Sequence, residues 1–326
     1  MLKKFSKKGE YTHILIIFII LIINYFTPPL HLMNENASSM GPIGIWLSEQ
    51  SLAVNPAVIK VSVLFLLVLI SYYLNRVVAQ VDIYPKQSYL SATLLIALFL
   101  FSPGMPDIIS TIILCGLMCV CLGSMINMFG KQYPYLQILN SSIAIAIASM
   151  IIPHTILFIL FIWFGFLTYS VNTWREWIIS IIGLVIPYLY MFFAYFWNDN
   201  LDYLIGTYRQ LFYFNFFHFT IPTGYTIVSV FLLLMMYFIS TFSFTSDASD
   251  KIISIRKRMW LIFQFSIVTV LILVLLPNAA YVLLPILYIP LALMMTYLVH
   301  YQRKSVILDI FMVLFVVSIL INRIFA

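Results

Sequence analysis

LIGTYRQLFYFNFFHF, residues 204–219, is the stretch whose assignment decides how this chain is threaded. It is apolar, aromatic and amphipathic, with Arg209 in its middle and Tyr208, Phe212, Tyr213, Phe214, Phe216, Phe217 and Phe219 around it. Aromatic rings sit favourably at headgroup depth, so this stretch is predicted to lie in the membrane interface instead of crossing. Counted as a crossing, it would carry Lys251, Arg256, Lys257 and Arg258 out of the cytoplasm, against the bias of Lys and Arg for cytoplasmic loops. Counted as interfacial, it leaves the whole chain consistent. With the amino end inside, every Lys and Arg of the 17 falls on the cytoplasmic side except Lys60, Arg209 and Arg323.

The apolar runs lie near 12–29, 57–75, 89–103, 108–129, 138–153, 154–170, 178–197, 225–243, 260–277, 279–299 and 306–322. They predict an all-α, polytopic transmembrane bundle of about eleven spans, amino end in and carboxyl end out. A straight helix needs about 20 residues to cross the hydrocarbon, and the third, fifth and sixth runs are shorter. The fifth and sixth meet at Pro153-His154 with no polar linker. They form either a tight helical hairpin or two half-crossings. Irregular backbone at that depth must be buried in protein or line a cavity.

Composition agrees with the class. The chain is 63% apolar and 9% charged, against about 25% charged in a soluble domain, and only lipid as solvent lets so much apolar surface face outward. The net charge of +6 is the expected excess of cytoplasmic cations, so nucleic acid is not an expected partner. Residues 1–27 carry Lys3, Lys4, Lys7 and Lys8 ahead of an apolar stretch but lack a small-x-small cleavage site, and read as an uncleaved first span. Cys115, Cys119 and Cys121 share one apolar run and read as packing residues. Two modules are expected: residues 1–224 with seven spans and two long outer loops, and residues 225–326 with four spans.

Two outer connections are long. The first, residues 28–56, holds Glu35 and Glu49 and an interfacial helix around Ile43–Glu49; the second includes 204–219. Histidines and acids concentrate on this predicted outer side, where solvation alone accounts for loop polarity. Three residues carry a sharper expectation. Glu35 is placed to act as a general base towards an acceptor hydroxyl. Arg209 at headgroup depth either pairs with a phosphate through its planar fork or snorkels as an anchor. Lys60, just inside the second span, has the same two options. His31, His154 and His218 are candidate ligands for a divalent cation only if the spans bring them together. Trp174-Arg175-Glu176-Trp177 reads as an interfacial anchor with a charge pair. The confident spans contain no mid-span acid, which counts against an ion-coupled transporter.

Asn75-Arg76, then Tyr84-Pro85-Lys86-Gln87-Ser88-Tyr89-Leu90, Trp174-Arg175-Glu176-Trp177 and Pro187-Tyr188 together resemble an uncharacterised family of polytopic inner-membrane proteins from Bacteroidota. That resemblance implies a multi-pass protein of the bacterial inner membrane and brings no activity with it. The layout as a whole is similar to the GT-C glycosyltransferase module: an inside amino end, a long first outer loop with an acid and an interfacial helix, six further spans, then a second long outer loop. This second resemblance implies a polyprenyl-phosphate-linked sugar as donor, Glu35 as base, Arg209 and Lys60 on the donor phosphate, and a divalent cation as a candidate cofactor. The chain departs from that family in having Asn34-Glu35-Asn36 where an acidic pair is common. The competing expectation is a non-catalytic scaffold or subunit of an envelope complex, which has no need for the two long outer loops to meet.

Overall fold

A computed structural model describes residues 40–79, 89–100, 108–171, 173–211, 224–276 and 280–301. Among the described residues the regular structure is all helical. The helices are α1 (Pro42–Ala53), α2 (Pro56–Ala79), α3 (Leu90–Leu100), α4 (Ile108–Ile126) and α5 (Tyr135–Ile151). A 3-10 helix, Pro153–Phe158, leads into α6 (Ile159–Tyr169). Then come α7 (Trp174–Trp197), α8 (Leu201–Leu211), α9 (Gly224–Ala248), α10 (Ile253–Leu275) and α11 (Ala280–Tyr301). Six of them, α2, α4, α7, α9, α10 and α11, are long and apolar enough to cross a membrane. The shorter apolar segments are α3, α5 and the 3-10 helix with α6, the same three runs that fall short in the sequence. The predicted first and last spans lie outside the described residues.

Helix directions alternate, and side-chain contacts fix each one. Ser91 at the start of α3 donates to Asn75 near the end of α2 at 3.1 Å. Gly123 late in α4 faces Tyr73 and Val77 late in α2, so α2 and α4 are parallel and α3 runs back between them in sequence. Ser149 late in α5 meets Tyr188 late in α7, making that pair parallel too. The segment between them must therefore return, and it does: Trp163 and Phe166 on α6 pack on Trp177 at the start of α7, with ring centroids at 5.8 and 5.4 Å. Phe244 and Tyr297 bring the ends of α9 and α11 together at 5.2 Å.

The consequence is a polarised bundle. Arg76, Lys131, Arg175, Lys251, Arg256, Lys257 and Arg258 all stand where helices begin or end at one pole. There Lys257 and Arg258 lie over the ring of Phe129 and Lys251 over that of Tyr297. Lys60, α1 and α8 stand at the opposite pole.

Packing follows residue size. In the row α2, α4, α5, α7, α5 presents Ser141, Ser142, Ala144, Ala146, Ala148 and Ser149, all buried. Small residues let helix backbones approach closely where lipid supplies no hydrophobic drive between helices. The serine hydroxyls are satisfied within the helix, Ser141 and Ser142 donating to the Ile138 carbonyl. Gly183 on α7 sits against Ser142, where a Cβ would come within 2.7 Å of the serine Cβ. On the other side α11 is the central helix, packed by α3, α4, α9 and α10; 89% of its apolar window is buried, against 22% for α7. The α6 helix ends on Ser170, in the left-handed region at φ 57°. Amides of Ser170 and Val171 close onto the Leu167 and Phe166 carbonyls, a C-terminal cap that satisfies groups a helix end leaves open.

Candidate functional site

The pole opposite the basic residues is built by two short helices that dock onto the ends of longer ones. α1 begins where Gly41 donates its amide to the Ile151 carbonyl at 2.8 Å, the last helical residue of α5. It then lies over α5 and α4 and hands the chain to α2 at Pro56, a residue suited to the first helical position because it lacks an amide hydrogen to satisfy. α1 is close to its support because Gly41 and Gly44 have no Cβ. At Gly44 a Cβ would lie 2.5 Å from the Ile151 carbonyl oxygen.

This docking bears on the fifth and sixth runs. α5 is ~26 Å long and the 3-10 helix plus α6 ~28 Å, so the pair forms a hairpin whose limbs are each slightly shorter than the ~30 Å thickness of a bilayer's hydrocarbon. Its tip at Ile152-Pro153 reaches the level of Tyr188 and Met191 on α7. That helix continues to Trp197, about two turns farther. α1 covers the tip and takes up its terminal carbonyl.

α8 docks on the same pole. It is short and amphipathic, and Leu204 points inward to a small cluster with Met150 and Met191. Ile43 from α1, Tyr188 and Tyr195 from α7, and Tyr208 from α8 pack around that cluster. The two predicted outer connections thus meet at Met150. Ser149 and Tyr188 share a hydrogen bond of 2.7 Å, and the Tyr208 ring lies 6.2 Å from that of Tyr188. Tyr195 and Tyr203 stack at 6.3 Å. Burial pushes the Tyr208 phenol well above its usual range, and the neighbouring Tyr188 pushes it further; Tyr208 acts as a neutral hydroxyl, not as a phenolate. The arrangement is a packed apolar contact edged by tyrosine rings and hydroxyls.

The sequence-predicted residues divide as follows. Lys60 is half-buried in the first turns of α2, which packs on α3 and α4. Arg209 belongs to α8 by its backbone, and its side chain lies outside the described residues. α8 packs on α7, so the helices that carry Lys60 and Arg209 share a pole but stand at opposite edges of the α2-α4-α5-α7 row. His154 sits in the 3-10 segment beneath α1. Glu35, His31 and His218 lie outside the described residues. Among the described residues no three His, Cys, Asp or Glu side chains are grouped as a metal would need. The sequence assigns no role to Ser149 or Met191, and Tyr188 enters its reading only within Pro187-Tyr188, with no partner. The interacting pair is 39 residues apart, and each member is unremarkable in its own apolar run.

At the basic pole, the expected charge pair of Arg175 and Glu176 is absent. Glu176 is buried, Arg175 is exposed, and no ion pair joins them among the described residues. Trp174 is exposed, whereas Trp177 packs inward on α6.

Neither the curated proteins nor the solved structures include a match to this chain. Residues 44–325 match the model of DUF6427, a family of unknown function, and with most of its length covered the chain belongs to that family.

Proposed function

We propose that this multi-pass membrane protein works in the bacterial inner membrane with its basic pole in the cytoplasm and the α1/α8 pole outside. Eleven crossings follow if α3 counts as one beside the six long helices, the α5 hairpin counts as two, and one span is added at each end. In this reading residues 1–224 form the working module, 225–326 support it, and the outer pole handles a polyprenyl-phosphate-linked sugar for envelope glycan assembly. The observation that carries the reading is the meeting of α1 and α8 over Met150 and Met191. It gathers the two long connections that a GT-C-like transferase uses to enclose donor and acceptor. Glu35 takes the acceptor proton, and Arg209 and Lys60 neutralise the departing lipid phosphate. His31, His154 and His218 are the candidate ligands if a divalent cation takes part.

Complementation of a deletion strain tests this. Glu35→Gln abolishes the cellular function at unchanged membrane abundance, and Arg209→Ala weakens it through donor binding. Full complementation by Glu35→Gln removes the catalytic reading.

One observation favours a second reading, a non-catalytic subunit of an envelope complex. α2 and α8, which carry Lys60 and Arg209, pack at different edges of the helix row. A subunit has no need to bring the two cations onto one phosphate. Glu35→Gln with wild-type function and loss of a co-purifying partner on disruption of α1 supports that alternative.

A further inference from the structure

Arg175 and Glu176 open α7 at the basic pole, far from the α1/α8 site. Adjacent helix positions point about 100° apart, so the two side chains do not meet. Glu176 is 5% exposed, and its Oε2 is buried with no hydrogen-bond partner. Arg175 is exposed and makes no ion pair among the described residues. The neighbouring cation, Lys131, is directed elsewhere, its ammonium beside the Gln137 side-chain amide, which accepts from it when the amide oxygen faces that way. Arg175, Glu176, Trp174, Gln132 and Tyr133 line one open hollow of about 570 Å³, within the size range of small-molecule sites.

A buried carboxylate is costly until a donor reaches it. An anion alone would leave Glu176 without one, and a bare cation would make no use of Arg175. A zwitterion answers both. The ammonium must carry N–H groups, because a quaternary ammonium cannot donate to the carboxylate. The hollow lies where α5 and α7 enter their apolar lengths. Tyr133 and Trp174 are 72% and 68% exposed beside it, as aromatic residues at headgroup depth are.

We infer that this hollow binds a phosphoethanolamine group, with the ammonium on Glu176 and the phosphate on Arg175. The group comes either from an aminophospholipid headgroup or from a soluble phosphodiester of the same chemistry. The site is separate from the proposed transferase pole, and its failure leaves the Glu35 test untouched.

Native mass spectrometry of the detergent-solubilised full chain, titrated with dioleoyl phosphatidylethanolamine, phosphatidylcholine and phosphatidylglycerol, tests the assignment. Wild type holds phosphatidylethanolamine roughly tenfold more tightly than phosphatidylcholine, the worth of a charged hydrogen bond. Glu176→Gln brings that ratio close to one. Arg175→Gln, a substitution at an exposed position, weakens phosphatidylethanolamine binding and keeps the assignment testable should Glu176→Gln fail to fold. Equal binding of the two zwitterionic lipids by wild type overturns the inference, as does a preference that survives Glu176→Gln or binding indifferent to Arg175→Gln. Displacement by excess glycerophosphoethanolamine identifies the soluble source; lipid retained against it identifies the headgroup.

Discussion

Ser149 on α5 and Tyr188 on α7 are joined by a hydrogen bond of 2.7 Å, and this contact sets the register of two parallel helices at the pole where α1 and α8 dock. Ser149 also donates to the Ala146 carbonyl, so it can accept from Tyr188 and remain satisfied. Tyr188→Phe removes one interhelical bond without opening a cavity. The expected loss is about 0.6 kcal/mol, typical of such bonds in a membrane bundle, measured by unfolding in mixed micelles. Tyr188→Ala removes the ring against which Tyr208 packs and costs about 3 kcal/mol. Equal effects from the two variants would show that the Tyr188 ring adds nothing to stability beyond the bond its hydroxyl makes to Ser149.

Gly44 and Gly206 form a matched pair for testing how α1 is held. A Cβ at Gly44 meets the Ile151 carbonyl oxygen at 2.5 Å, whereas one at Gly206 on α8 meets nothing within 4 Å. Gly44→Ala forces α1 off the hairpin tip and costs about 1–3 kcal/mol. Gly206→Ala is neutral or stabilises by about 0.4–1 kcal/mol through the unfolded chain. Thermal melts of the two variants in detergent compare them directly. Equal melting temperatures would mean that α1 is not seated on Ile151.

Thr168 on α6 and Gln264 on α10 bond reciprocally. The threonine hydroxyl lies 2.9 Å from the glutamine carbonyl and 2.7 Å from its amide nitrogen. Separated by 96 positions in the chain, they pin the hairpin's return limb to the later helices. Replacing Thr168 leaves the Gln264 amide without this partner, and replacing Gln264 leaves Thr168 only its 3.1 Å bond to the Phe164 carbonyl. Gln264→Leu or Thr168→Val alone is therefore expected to cost about 1–2 kcal/mol, and the double variant less than the sum of the two. A double-mutant cycle on the unfolding free energy gives the coupling, and strict additivity would show that the pair is idle.

Cys115, Cys119 and Cys121 are buried to within 1% of complete and project into the contacts of α4 with its neighbours. A membrane-permeant maleimide is expected to label them only after denaturation in sodium dodecyl sulfate, as read by a mass shift of the intact chain. Labelling in the native membrane would place α4 at a water-filled surface, contrary to its packing.

Reporter fusions test the polarity of the bundle. A periplasm-dependent reporter is active after Asn200, and a cytoplasm-dependent one after Asp250. The reverse result inverts the assignment of both poles. Asn200 lies between α7 and α8 at one pole and Asp250 between α9 and α10 at the other, so a consistent pair of signals is required in either case.

The sequence by itself determined the membrane class, because 63% apolar residues and 9% charged leave no other solvent for the surface. It also determined the order of the apolar helices and which connections share a pole. Lys and Arg are costly to translocate and therefore record topology locally, residue by residue. Of the stretch 204–219, the structure describes residues 204–211. They belong to α8, Leu201–Leu211, which is helical with Leu204 inward.

Only the tertiary structure decided which helices are central. α7 and α11 are similarly apolar, with mean hydropathies of 2.1 and 1.8, yet their buried shares are 22% and 89%. Lipid tails are as apolar as leucine, so burial against lipid and burial against protein leave the same composition. Only tertiary structure likewise showed that the hairpin tip at Ile151 is covered by α1, that Met150 gathers Ile43 from α1 and Leu204 and Tyr208 from α8, and that Glu176 is buried away from Arg175. Each depends on contacts between residues far apart in the chain, and hydropathy and charge order carry no term for those.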